Sequence, residues 1–205
     1  MKFKENRKLA FIILAVVVIF SITVQGSVAM LNRRGDTEVL FMEGDMRELM
    51  RRCADQAELL GQMGGMYLND ASLDDYASAN TANQLRSGGY TALPGELETL
   101  SAQLVNAANP NESLIALTDL HDAVEKTYTG LDMMDIPEAE FRNIKLAYYD
   151  FTGAVDIVSR DGEDKNSYTA KAQKFNKEIS GFPASLISGV LGVNDLYTYP
   201  VEVTR

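Results

Sequence analysis

Few side chains in this chain could start a reaction. His121 is the sole histidine, with Asp122 and Glu125 close by in sequence. A catalytic zinc ion typically takes three protein ligands rich in nitrogen or sulfur, so one imidazole beside two carboxylates is a poor metal set. A Ser-His-Asp triad would need the same histidine, and no Gly-x-Ser-x-Gly elbow is present. Cys53 is the sole cysteine, which excludes an intramolecular disulfide and any multi-cysteine zinc site. As a nucleophile it would lie inside a packing stripe, out of reach of substrate. Asp161-Gly162-Glu163-Asp164 has acids without the alternating ligand order of a calcium loop. Gly64-Gly65 and Gly88-Gly89 lack a phosphate-loop lysine in register. Arg51 and Arg52 form a local basic pair on an acidic chain, and helical spacing sets them beside the Leu49–Cys53 stripe, where their stems can cover the core. The expectation is therefore a protein with no metal, no cofactor and no enzymatic reaction.

The elements that would hold these residues begin with an apolar segment. Residues 9–31 carry no charge, and residues 9–20 are continuously apolar. At ~1.5 Å per residue the segment reaches roughly 34 Å, enough for a hydrocarbon core about 30 Å thick. Lys2, Lys4, Arg7 and Lys8 stand before it against Glu5, and Arg33 and Arg34 follow it. The excess of basic residues in front places the N-terminus in the cytoplasm and the rest outside. Three regions result: a basic cytoplasmic N-terminus (1–8), a transmembrane signal anchor (9–31) and an extracytoplasmic domain (32–205). A cleaved signal peptide is the competing reading, with Ser27-Val28-Ala29 as its cleavage site. The apolar length favours an anchor. The chain carries −10 and its first eight residues +3, so the remainder carries −13. Such a surface repels nucleic acid and anionic lipid headgroups, and no nucleic acid is expected as a partner.

Beyond the span the apolar residues keep helical spacing. Asn32 to Asp36 read as a polar joint, with Asp36 or Thr37 capping the next helix. Met42, Met46, Leu49, Cys53, Gln56, Leu60, Met63 and Tyr67 form a heptad stripe broken at Gln56. Residues 69–92 read as a connection with helical pieces, one starting near Ser72 and stopped by Gly88. Pro94 fits a first helical turn ahead of Leu97, Leu100, Leu104 and Val105. Leu114, Leu117, His121, Val124, Tyr128 and Leu131 mark the next helix. Asp135 and Pro137 then read as N-cap and first turn of another, carrying Phe141, Ile144, Tyr148, Phe151, Val155 and Val158. Tyr168, Ala172, Phe175 and Ile179 carry the last stripe. Between the last two, either the helix breaks at Gly162 or one long helix turns its buried face. No convincing strand appears. The expected fold is all-α: an N-terminal transmembrane helix followed by an antiparallel four-helix-bundle-like domain with coiled-coil heptads.

The C-terminal run is the most distinctive. Phe175-Asn176, Ile179, Phe182-Pro183, Leu186-Ile187, Gly189 and Gly192 follow one another with Tyr168 two turns upstream. This resembles the C-terminal motif of the LemA family of bacterial single-pass membrane proteins, which has Tyr-Asn, Ile, Phe-Pro, then Asn-Leu-Ile-Ala and glycines. Phe175 replaces the tyrosine, Ser185 the asparagine and Ser188 the alanine. Leu49-Met50-Arg51-Arg52 resembles the family's Leu-x-Arg-Arg, although Ala54-Asp55-Gln56-Ala57-Glu58 replaces the Asp-Leu-Ile-Pro-Asn that usually follows. Residues 69–110 show no match. The resemblance implies one membrane helix, an exposed helical bundle and no established enzymatic reaction. Physically, Pro183 ends a helix and Phe182 can stop the bundle end. Leu186, Ile187, Val190 and Leu191 then fold back on the core, a reading favoured over insertion in the membrane interface because exposing them is costly.

The functional expectation is a bacterial envelope scaffold or accessory that associates with other membrane or envelope proteins, with self-association compatible with its heptads. The rival is an extracytoplasmic sensory domain that binds a small ligand between helices and signals through a partner.

Overall fold

The computed structural model describes residues 2–181 and 184–201. Among them the chain is all-α, with nine α-helices and no strand. Helix α1 runs over Lys2–Glu43 without interruption. The joint expected at residues 32–36 is thus not a joint, and neither Asp36 nor Thr37 caps a helix. Thr37 Oγ1 instead donates back to the Arg33 carbonyl at 2.8 Å, and Thr37 is buried. The break falls at Gly44, the N-cap of α2 (Asp45–Tyr67). A Cβ on Gly44 would lie 2.3 Å from the Leu40 carbonyl oxygen, so the elbow requires glycine. By length and composition α1 is the one described helix able to cross a membrane.

Residues 69–92 are more ordered than a connection. Asn69 accepts from Ser72 N at 3.0 Å and caps α3 (Asp70–Tyr76), and Ser78 caps α4 (Ala79–Ser87). The expected start near Ser72 is thus three residues late, because Asn69 takes the capping role. Gly88 does end α4. Pro94 lies in the first turn of α5 (Leu93–Asn106), as its missing N–H allows. Arg47 donates to the Val105 and Ala107 carbonyls and satisfies the end of α5. Asn109 accepts from Glu112 N at 3.0 Å and Glu112 accepts from Ala108 N at 3.0 Å, capping the start of α6 (Pro110–Asp132). Helix α7 (Glu138–Ser159) has Pro137, not Asp135, as its N-cap. The Asp135 N–H is engaged by the Tyr76 carbonyl at 2.7 Å, which keeps that residue outside the helix.

Helices α2, α5, α6 and α7 form the bundle, with α2 packed on the other three. Its core holds Met50, Cys53, Leu60, Leu97, Leu104, Leu117, Val124 and Phe151. The chain does break near Gly162. A short 3-10 turn over Asp161–Glu163 follows α7, and Ser167 caps α8 (Tyr168–Ser180). Asp161 accepts from Thr169 N at 2.8 Å and closes that corner. Helix α9 (Ala184–Leu191) follows, and both α8 and α9 pack along α1 rather than joining the four bundle helices.

Candidate functional site

One face of α1 organises the end of the molecule that carries α8 and α9. Ile19, Thr23, Gly26, Met30, Arg33, Thr37 and Phe41 recur by three and four, which sets them on one side of the helix. Phe41 meets the buried Tyr168 ring edge-on at 4.7 Å. Arg33 pairs with Glu178 near the end of α8. A Cβ on Gly26 would touch Ile187 at 3.4 Å. Thus α8 and then α9 descend α1 from residue 41 towards residue 19. Sequence reading missed this stripe because Arg33 and Thr37 occupy two of its positions. The step of three and four through Met30 and Phe41 was the signal available.

Helix α9 does not fold back on the bundle core as expected. Ile187 packs against the core cluster, but Leu186 is 63% and Val190 88% exposed, with Leu191 also open. Leu186, Ile187, Val190 and Leu191 face Ile19, Ile22, Thr23 and Ser27 across an apolar groove of about 390 Å³. That groove lies beside the apolar stretch of α1. Gly189 and Gly192 have no atom within 4 Å of a Cβ position, and Gly192 ends the helix at φ 65°. Phe182 and Pro183, including their reading as a stopper, lie outside the described residues.

Above the groove the C-terminal strap, residues 193–201, is clamped through its backbone. Asn176 donates to the Leu196 carbonyl at 2.7 Å and accepts from Leu196 N at 2.9 Å. Asn111 does the same around the next peptides, donating to the Asp195 carbonyl at 2.9 Å and accepting from Tyr197 N at 2.8 Å. Tyr168 Oη donates to the Tyr197 carbonyl at 2.8 Å, and Arg34 to the Asn194 carbonyl at 2.7 Å. Leu196 is buried beneath these bonds. Phe175 and Ile179 are buried on the same helix, from which Tyr168 and Asn176 bond the strap's backbone.

The strap also reaches the sole histidine. Tyr199 Oη and His121 Nδ1 lie 2.7 Å apart, and His121 Nε2 is 3.6 Å from Glu125 Oε1. Tyr148 Oη donates to Glu125 at 2.8 Å, and its ring stacks on Tyr128 at 3.9 Å. Burial pushes the Tyr199 phenol up to about 12, with the Cys53 and Asp122 charges adding to it. Burial, then the Glu125 hydrogen bond and charge, raise Tyr148 to about 12. Cys53 is buried and its thiol is pushed to about 12 by desolvation, against a smaller opposing effect of Arg52. At neutral pH these three groups hold their protons. Among the described residues no three His, Cys, Asp or Glu side chains converge on a metal position. Arg51 and Arg52 are exposed, and the Arg51 head approaches Glu48 at 3.8 Å. Gln56, the break in the heptad, leaves its buried Oε1 without a hydrogen bond among the described residues.

No protein-family model, curated protein or solved structure matches this chain. The likeness to the LemA family rests on the motif residues alone.

Proposed function

We propose that this chain is a LemA-like, single-pass membrane protein that acts as a non-enzymatic envelope scaffold or accessory by associating with other proteins. The observation that supports this best is the continuity of α1, whose exposed apolar stretch runs without a joint into the helix that meets α2 and α8. A span joined rigidly to a bundle holds the bundle at a defined height and orientation over the bilayer, as a scaffold must. The excess of basic residues before the span supports an N-terminus in the cytoplasm and the bundle outside. Proximity labelling from the bundle tests the reading. One reproducible set of membrane or envelope proteins is expected, and an unselective set contradicts it.

A sensory role is the second reading, favoured by a cleft of about 500 Å³ at the α1–α2 elbow. Leu40, Met46, Leu49, Ile157 and Tyr168 give it an apolar floor, and Asp45, Asp156, Asp161, Glu163 and Asp164 an acidic rim around Arg160. That chemistry suits a small cationic amphiphile. Thermal shifts of the full chain with alkylamines would favour sensing, and no shift with any of them would leave the scaffold reading alone.

A further inference from the structure

We infer that the membrane-proximal face of α1, α8 and α9 binds an anionic phospholipid, an acyl chain in the α1–α9 groove and the phosphate on Arg33, Lys171 and Lys174. The inference rests on the membrane-anchored reading above. The groove is apolar and lies against residues 19–27, within the stretch that a bilayer would surround. Its occupant there is hydrocarbon. Directly above it a cleft of about 320 Å³ is lined by Arg33, Lys171 and Lys174, with Asp36 and Glu178 opposing. The cleft keeps a net positive charge on a chain that is strongly acidic elsewhere.

Both features share the α1 face that includes Gly26, Met30 and Arg33. From Ser27 to Arg33 the helix rises roughly 9 Å, close to the depth of about 5–8 Å that headgroups occupy on each side of the hydrocarbon. Glu178 is engaged by Arg33 and Glu38 by Arg34 at 2.8 Å. Among the described residues Lys171, Lys174 and Lys177 are in no ion pair, and all three are exposed along α8. Their long stems can carry the ammonium groups to a phosphate at the bilayer surface. An anionic glycerophospholipid matches apolar groove and cationic cleft at once; a zwitterionic one matches only the groove.

The test is native mass spectrometry of the full chain in mild non-ionic detergent, titrated with phosphatidylglycerol or phosphatidylcholine of identical chains. Phosphatidylglycerol should bind at about tenfold lower concentration, as expected for a few basic side chains facing a phosphate. The double variant Lys171→Glu, Lys174→Glu should bring the two lipids to parity. Leu186→Ser with Val190→Ser, both at exposed positions, should weaken both lipids. Equal binding by the natural chain overturns the inference, as does displacement of the lipid by glycerol phosphate at equal concentration. A dimer that binds neither lipid would assign the groove to a second copy and overturn it too. Alkaline extraction of membranes separates the premises. A chain released from the membrane fraction defeats the anchor, whereas a retained chain without phosphatidylglycerol preference defeats the lipid site alone.

Discussion

Asn176 closes two backbone hydrogen bonds on Leu196, whereas Tyr199 contributes one to His121. Replacing Asn176 by Ala leaves a partly buried N–H and C=O unpaired, at about 1–3 kcal/mol, while Tyr199→Phe removes one net bond worth about 0.5–1.5 kcal/mol. Hydrogen exchange should therefore show the strap opening more in Asn176→Ala than in Tyr199→Phe; the reverse order would misplace the clamp. The buried thiol and phenols make a second prediction. In the unfolded chain Cys53 titrates near 9.0 and Tyr199 near 10.0, against about 12 for each in the fold. Below these unfolded values both states keep the protons. As pH rises from about 9 towards 12 the unfolded state loses them first, so stability falls across that window. Thermal unfolding should show the decline, and Cys53→Ala should flatten its lower part. A midpoint unchanged by alkali would contradict the burial of these groups.

The helices of the bundle were legible where apolar residues repeat without interruption, as in Leu114 to Leu131 and Phe141 to Val158. Each such stripe can be satisfied only by burial against another helix. Boundaries failed where polar chemistry decided them. Asn32 to Asp36 look like a joint, yet the helix needs only α8 against its Met30–Phe41 face to continue. The clamps of Asn111 and Asn176 leave no periodic trace, because they join backbone groups across long stretches of chain. Two glycines, one at the α1–α2 elbow and one within α1, discriminate further. Gly44→Ala would drive its Cβ into the Leu40 carbonyl, and such overpacking costs about 1–3 kcal/mol. A Cβ on Gly35 meets nothing within 4 Å in mid-helix. Gly35→Ala should stabilise by about 0.5–1 kcal/mol through helix propensity. Thermal unfolding of the two variants in the same detergent should move in opposite directions. Equal shifts would mean that the elbow does not need glycine.

At the scale of the molecule, α1 links a membrane-length apolar segment to a bundle, and α9 lies beside that segment with Leu186 and Val190 outward. Outward apolar side chains of this kind are costly in water and stable in lipid. The α9 segment alone was ambiguous because its eight residues suit a core cap as well as an interfacial helix. Its neighbour on α1 favours the interfacial helix once the proposed anchor is granted. Cys53 is buried with its thiol protonated, so a cysteine placed at Val190 can be labelled selectively in the full chain. The most direct measurement is the depth of a fluorescent label on Val190→Cys after reconstitution into vesicles. Quenching by nitroxides on the lipid acyl chains, with little quenching by aqueous iodide, is the expected result. Strong iodide quenching with none from the acyl chains, as at the exposed bundle residue Glu58, would contradict the placement of α9 and the anchored architecture with it.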